Sequence, residues 1–258
     1  MKKIIKYLFL LTGGSFILAS CNDFLDREPL DSVTPDNFFF TENDLAAYAV
    51  KHYNFTTHEG FNAGIWKNDN ATDNQAATDY DKKWIPGQWK VPEAYDNPAS
   101  NDPWYFSAIR EANYFLETVV PRFEKGEIEG SETNIKHYIG EMYFLRAKNY
   151  LSKLETFGDF PIIKNTLPDE SESLIQASKR APRYKVAHFI LEDLDQAISL
   201  LTNNISGGKN RITKNAALLL KSRAALFEAS WLTYHKGTAL VPGGPGWPGK
   251  AEDIADFN

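Results

Sequence analysis

The stretch Gly140–Ile163, GEMYFLRAKNYLSKLETFGDFPII, decides the fold class. Ile139, Met142, Tyr143, Ala147, Tyr150, Leu151 and Leu154 recur at steps of three and four, the spacing of one face of an α-helix. The pattern predicts a helix over about residues 133–157. It ends at Gly158, which can take a left-handed backbone, and at Pro161, which cannot continue a helix.

Working outward, the same periodicity recurs on both sides. Upstream, Asp102 and Pro103 read as cap and first turn of a helix with Tyr105, Ala108, Ala112, Phe115, Leu116 and Val119 on its apolar face, ended by Pro121. Earlier, Thr41 with Asp44 reads as a capping box, with Phe40 and Leu45 as a hydrophobic staple, opening a helix that runs to about Asn54. Downstream, a helix near 183–202 carries Ala187, Ile190, Leu191, Leu194, Ile198 and Leu201. Another near 213–232, capped by Thr213, carries Ala217, Leu220, Ala224, Phe227 and Trp231. No strand series competes, so the expected class is mostly α.

Small residues at Ala147, Ala197, Ala217 and Ala224 would let helices approach closely. They point to tetratricopeptide-like stacked helical hairpins, with an ordinary helical bundle as the alternative. Residues 55–101 fit neither period, and Gly, Pro, Asn and Asp punctuate them. A loop this long is functional or disordered. Trp66, Trp84 and Trp89 argue against disorder. After the Pro- and Gly-rich stretch around Trp247, "KAEDIADFN" resembles the start of another helix, and the chain stops there. The expectation is a fragment or a natural truncation.

Composition narrows the function. The 258 residues carry a formal charge of −6, and removing residues 1–20 takes away Lys2, Lys3 and Lys6 with no acid, leaving −6 − 3 = −9. That balance disfavours nucleic acid or anionic lipid as partner. Lys2, Lys3 and Lys6 precede an apolar run, Ile4–Leu11 and Phe16–Leu18, which reads as a secretory signal peptide. Cys21 is the only cysteine, so no intramolecular disulfide and no cysteine metal site can form. "LASC" ending at Cys21 matches a lipobox, whose thiolate accepts a diacylglycerol before cleavage. The alternative is an ordinary signal peptide with a chance cysteine. Nothing later is apolar enough to span a bilayer as a helix, so the expected membrane link is the lipid anchor alone.

Five stretches together resemble the SusD/RagB family of nutrient-binding outer-membrane lipoproteins of Bacteroidota. They are "CNDFLDREP" from Cys21, "NDNATDNQ" from Asn68, "WYFSAIREANYFLETV" from Trp104, the Gly140–Ile163 block, and "ITKNAALLLKSRAALFEASWLTYHKGT" from Ile212. They lie in family order and cover nearly the whole chain. The resemblance implies a helical scaffold carrying irregular ligand-binding loops, no catalytic activity and no cofactor. It implies an oligosaccharide ligand, a SusC-like TonB-dependent transporter as partner, and a surface-exposed place on the outer membrane. Family members are longer, which supports the fragment reading. The organisation expected is residues 1–20 as lipoprotein signal, 21–40 as lipidated tether and 41–258 as a helical domain truncated at its C-terminal end.

A saccharide site needs an aromatic plane for C–H stacking and planar polar groups for hydroxyl pairs. Trp66, Trp84 and Trp89 supply the first; Asp69, Asn70, Asp73 and Asn74 supply the second. These seven are the candidate ligand-binding residues. The competing account is that the tryptophans pin the loop and the Asn/Asp residues make turns. A calcium reading of the acidic run lacks the glycine and terminal glutamate of an EF-hand loop. No histidine pair has metal spacing, so no metal is expected.

Trp104, Trp231 and Tyr234 read as core, Asn113 as a buried amide satisfied by backbone, and Asp159 as a turn former at a helix exit. Glu192, Asp193 and Asp195 could pair as glycosidase carboxylates, but read as a solvated helix face. The function expected is a lipid-anchored glycan-binding protein that hands its ligand to a transporter. The alternative is a helical-repeat lipoprotein that only scaffolds other surface proteins.

Overall fold

The computed structural model describes residues 38–55, 85, 104–205 and 210–257, and those from Phe39 onward belong to one compact unit. Its centre is the helix the sequence points to. Among the described residues the helices are α1 (Glu42–Lys51), α2 (Ser107–Glu124), α3 (Glu132–Phe157), α4 (Ser171–Ala177), α5 (Arg183–Leu200), α6 (Lys214–Tyr234) and α7 (Ala251–Phe257). Helix α3 packs against α1, α2 and α5, and α5 packs against α6. Helices α2 and α3 form one hairpin and α5 and α6 pack as another, stacked in the tetratricopeptide-like manner. The described residues contain no strand beyond two isolated bridges, Thr41 with Glu129 and Phe160 with Ala181.

With neighbours around it, α3 buries more than one stripe. Tyr138, Phe144 and Leu145 join Ile139, Met142, Ala147, Tyr150, Leu151 and Leu154 in the core. A helix enclosed by others loses the polar face of a surface helix. Gly140 permits the closest approach: a Cβ there would stand 3.0 Å from Leu201 Cγ and 3.1 Å from Leu200 Cβ, at the end of α5.

Helix ends follow the caps. Thr41 Oγ1 accepts from the Asp44 amide at 3.2 Å, and the Asp44 carboxylate accepts from the Thr41 amide at 3.0 Å. The ring buried beside this cap is Phe39, which is fully buried with a positive φ of 71° and edge-on to Tyr48 and Phe115. The expected staple residue Phe40 is instead exposed, with the Arg122 guanidinium 4.2 Å above its ring. Thr213 caps α6 by accepting from the Ala216 amide at 3.2 Å. Gly158, at φ 72°, ends α3.

Other sequence expectations need correction. Helix α1 ends at Lys51 and not near Asn54. Helix α2 begins at Ser107 rather than at Asp102–Pro103, with Phe106 as an N-cap that makes no side-chain bond. The preceding rings set the path there: Phe106 stacks on Phe160 at 5.0 Å, and Trp104 lies tilted against Phe157 at 4.0 Å. Pro121 does not end α2. It lies in the last turn, where its carbonyl still accepts from the Lys125 amide and the carbonyl it leaves unpaired belongs to exposed Glu117. Tyr234 is 85% exposed, and Trp104 and Trp231 are only half-buried. On α6, Leu218, Leu219 and Leu226 also face outward.

Candidate functional site

Three buried ion-pair groups account for the most recognisable motif residues. In the first, Arg146 of α3 donates through Nε and Nη2 to both oxygens of Asp193 on α5 at 2.7 Å, and through Nη1 to Asn113 Oδ1 at 2.9 Å. The Asn113 amide then donates to the Ile163 and Asn165 carbonyls, so this buried amide is satisfied by backbone as its sequence context suggests. Asp193 is thus not on a solvated face: it is 3% exposed, which corrects the sequence reading, whereas Glu192 and Asp195 are exposed. Burial pushes the Asp193 carboxyl up, and the Arg146 guanidinium works against that shift.

In the second group, Glu141 is fully buried and takes donors from Arg211, from the Tyr53 hydroxyl at 2.6 Å and from His137 Nε2 at 3.1 Å. His137 Nδ1 accepts from the Thr202 amide at 3.2 Å, so Nε2 carries the hydrogen. In the third, Arg183 grips Glu228 of α6 in a bidentate pair at 2.7–3.1 Å and lies 3.9 Å above the Trp231 ring. The Asp159 carboxylate accepts from the Arg183 amide at 2.9 Å, so it caps α5 as well as marking the turn. These groups hold α2, α3, α5 and α6 in register. Buried and mutually satisfied, they offer nothing to a ligand.

A concave candidate site lies elsewhere. A cleft of about 360 Å³ opens between the end of α1, the start of α2 and the second half of α3. Its lining includes His52, Asn54, Tyr105, Ser107, Glu111, Lys148 and Asn149. Lys148 Nζ donates to the Asn54 carbonyl at 2.7 Å and stands 5.2 Å from the Phe55 ring. Burial lowers the Lys148 pKa. His52 Nδ1 is 3.3 Å from the Glu111 carboxylate, and among the described residues its buried Nε2 has no hydrogen-bond partner. Burial lowers the His52 pKa, opposed by Glu111, which leaves Nε2 as an acceptor.

A second concavity of about 260 Å³ lies under α4 and is lined mainly by Phe106, Ile109, Pro161, Ile163, Leu167 and Leu174. Its apolar wall suits hydroxyl-rich ligands poorly. Among the described residues, no group of three His, Cys, Asp or Glu side chains could hold a metal, and no helix is long and apolar enough to cross a membrane.

Cys21 and the candidates Trp66, Asp69, Asn70, Asp73, Asn74, Trp84 and Trp89 lie outside the described residues. The ends of the segment that carries those seven are described, and both meet the cleft: Asn54 on one side and Tyr105 on the other are in its lining. Sequence reasoning missed His52, Glu111 and Lys148. The available signal was Lys148 itself, a lysine between Ala147 and Tyr150 on a helix whose neighbours are buried.

A SusD-like family model, described as starch-binding associating with outer membrane, matches residues 23–226. One SusD-like protein of Formosa agariphila is 27% identical over 203 residues, covering 77% of this chain and 37% of that protein. Another is 23% identical over 243 residues, covering 90% and 44%. The chain therefore spans about two fifths of the length of these relatives. Among solved structures, a SusD-like protein of Bacteroides fragilis superposes with a TM-score of 0.58 at 25% identity, covering 80% of this chain and 38% of that one. A SusD-like carbohydrate-binding protein of the same species shares the fold with a TM-score of 0.54 at 18% identity, covering 78% and 40%. On the family match over most of its length, this chain belongs to the SusD/RagB family of SusD-like proteins.

Proposed function

We propose that the chain is part of a lipid-anchored surface protein that binds oligosaccharides and passes them to a SusC-like TonB-dependent transporter in the outer membrane. The observation that carries the binding half is the cleft between α1, α2 and α3. It is large enough for one or two sugar rings and lined by hydroxyl, amide and charged groups. It also sits where the Trp- and Asn/Asp-rich segment leaves and rejoins the described helices. Trp66, Trp84 and Trp89 then provide stacking planes, and Asp69, Asn70, Asp73 and Asn74 provide hydroxyl partners. Cys21 carries the lipid, and no metal or cofactor takes part.

The protein acts without catalysis in this reading. The carboxylates that resemble a glycosidase pair are accounted for otherwise, since Asp193 is held by Arg146 and Asp195 by Lys221. Calorimetric titration of the full-length protein across a glycan library tests the proposal. Binding without hydrolysis is expected. No glycan bound, with stable co-purification of a large β-barrel, would favour the scaffold; released sugar would refute the non-catalytic reading. Intact-mass analysis is expected to find Cys21 as an acylated first residue.

A further inference from the structure

We infer that Tyr53 is a positioning residue for the cleft between α1, α2 and α3. Its hydroxyl, bonded to the buried Glu141 carboxylate, fixes the chain leaving α1 against α3 and so sets how far apart two walls of the cleft stand. This rests on the saccharide-binding reading above and names a residue that governs affinity from behind the lining.

His52 and Asn54 line the cleft on the α1 side, and Leu145, Lys148 and Asn149 line it on α3. Between the first two, the Tyr53 side chain turns inward. Its hydroxyl donates to Glu141 Oε1 at 2.6 Å and accepts from the Ile212 amide at 2.9 Å. One oxygen that both donates and accepts is held in two directions. Leu145 and Lys148 stand four and seven residues after Glu141, on the same face of α3. The bond is therefore made to the helix that forms the opposite wall. Nearer the surface, the Asn54 carbonyl accepts from Lys148 Nζ at 2.7 Å, a second tie between the same two walls.

Glu141 does not need Tyr53 to balance its charge. Arg211 donates to both of its oxygens, and His137 Nε2 donates to Oε1 at 3.1 Å. The Tyr53 ring has contacts of its own, with the Arg211 guanidinium 5.5 Å from its centroid and the Phe55 ring edge-on at 5.4 Å. Deleting the hydroxyl alone leaves the ion pair and the ring packing in place, and releases the path of residues 53–55. Burial and the Glu141 charge push the Tyr53 phenol above its usual range, so it remains a donor at neutral pH. A cleft whose walls are already in place binds without first ordering them. Where only a fraction of molecules holds that arrangement, apparent affinity falls by the same fraction.

The test is Tyr53→Phe in the full-length protein, with Tyr150→Phe as a matched deletion. Tyr150 also has a hydroxyl bonded on two sides, but to Ile163, which lines the other concavity. Three quantities are measured. They are Kd across a glycan library containing maltohexaose, laminarihexaose, xylohexaose and mannohexaose, hydrogen exchange at the Asn54 amide, and the rate at which acetic anhydride labels Lys148. For whichever glycan binds, Tyr53→Phe is expected to weaken affinity about tenfold, with about tenfold faster Asn54 exchange and faster Lys148 labelling. Tyr150→Phe is expected to lower thermal unfolding to a similar extent and to leave all three quantities near native. Unchanged affinity in Tyr53→Phe, unchanged exchange and labelling, or an equal loss of affinity in Tyr150→Phe overturns the positioning role and leaves saccharide binding standing. If no glycan binds the native protein, the saccharide reading falls and the role in affinity falls with it.

Discussion

Asp193 lies three residues after Ile190 and four before Ala197, both fully buried, and so shares their face of α5. Asp195, two residues on, points to water and pairs with Lys221. The two acids look alike in "LEDLDQ", but their removal should cost very different amounts. Asp193→Ala strands the Arg146 guanidinium in the core and is expected to lower unfolding free energy by about 3–5 kcal/mol. Asp195→Ala, which loses an exposed pair, should cost no more than about 1 kcal/mol. Urea titration of both variants measures the contrast, and equal costs would contradict the burial argument. His52 makes a pH prediction at the same scale. Its folded-state pKa is held below the ordinary imidazole value of 6.5 by burial, with Lys51 adding to the shift and Glu111 opposing it. The unfolded chain therefore takes up the proton first, so this contribution is full above about pH 6.5 and is lost as pH falls below that value through the lower folded-state pKa. Thermal unfolding between pH 7.5 and 5 should show a steeper loss in the native protein than in His52→Gln.

At the scale of elements, α3 is the organising helix because it has partners on several sides, and the tightest of these contacts is at Gly140. A methyl group there would press on Leu200, Leu201 and the Leu201 amide, backbone as well as side chain. Gly140→Ala is expected to destabilise by about 1–3 kcal/mol despite the better helix propensity of alanine, because the end of α5 must move. A gain in stability would show that the α5 terminus yields freely. The α1 cap is a smaller effect: Thr41→Ala removes the acceptor for the Asp44 amide and should cost about 1 kcal/mol. The segment after α3 is tied back onto the helix itself. The Tyr150 hydroxyl accepts from the Ile163 amide at 2.8 Å and donates to its carbonyl at 3.2 Å, and burial pushes that phenol up to about 12. No local propensity at Tyr150 announces this bond, since its partner lies 13 positions along the chain.

At the scale of the whole molecule, the cleft and the segment between Phe55 and Trp104 form the unit on which function is expected to depend. Trp84→Ala combined with Trp89→Ala should weaken oligosaccharide binding by at least about tenfold while leaving thermal unfolding close to native. Unchanged binding and unchanged unfolding together would refute a role for this pair. By itself the sequence determined the helical class, the caps at Thr41 and Thr213, the stop at Gly158 and the family, because periodicity, capping and termination are local properties of consecutive residues. It placed Asn113 in the core for the same reason. Only the tertiary structure decided which charges are buried, that α2 starts after the Trp104–Phe106 aromatic cluster, and that His52, Glu111 and Lys148 meet in one cleft. Those outcomes depend on groups tens of residues apart, whose desolvation and pairing are settled when helices pack and by nothing in the order of their neighbours.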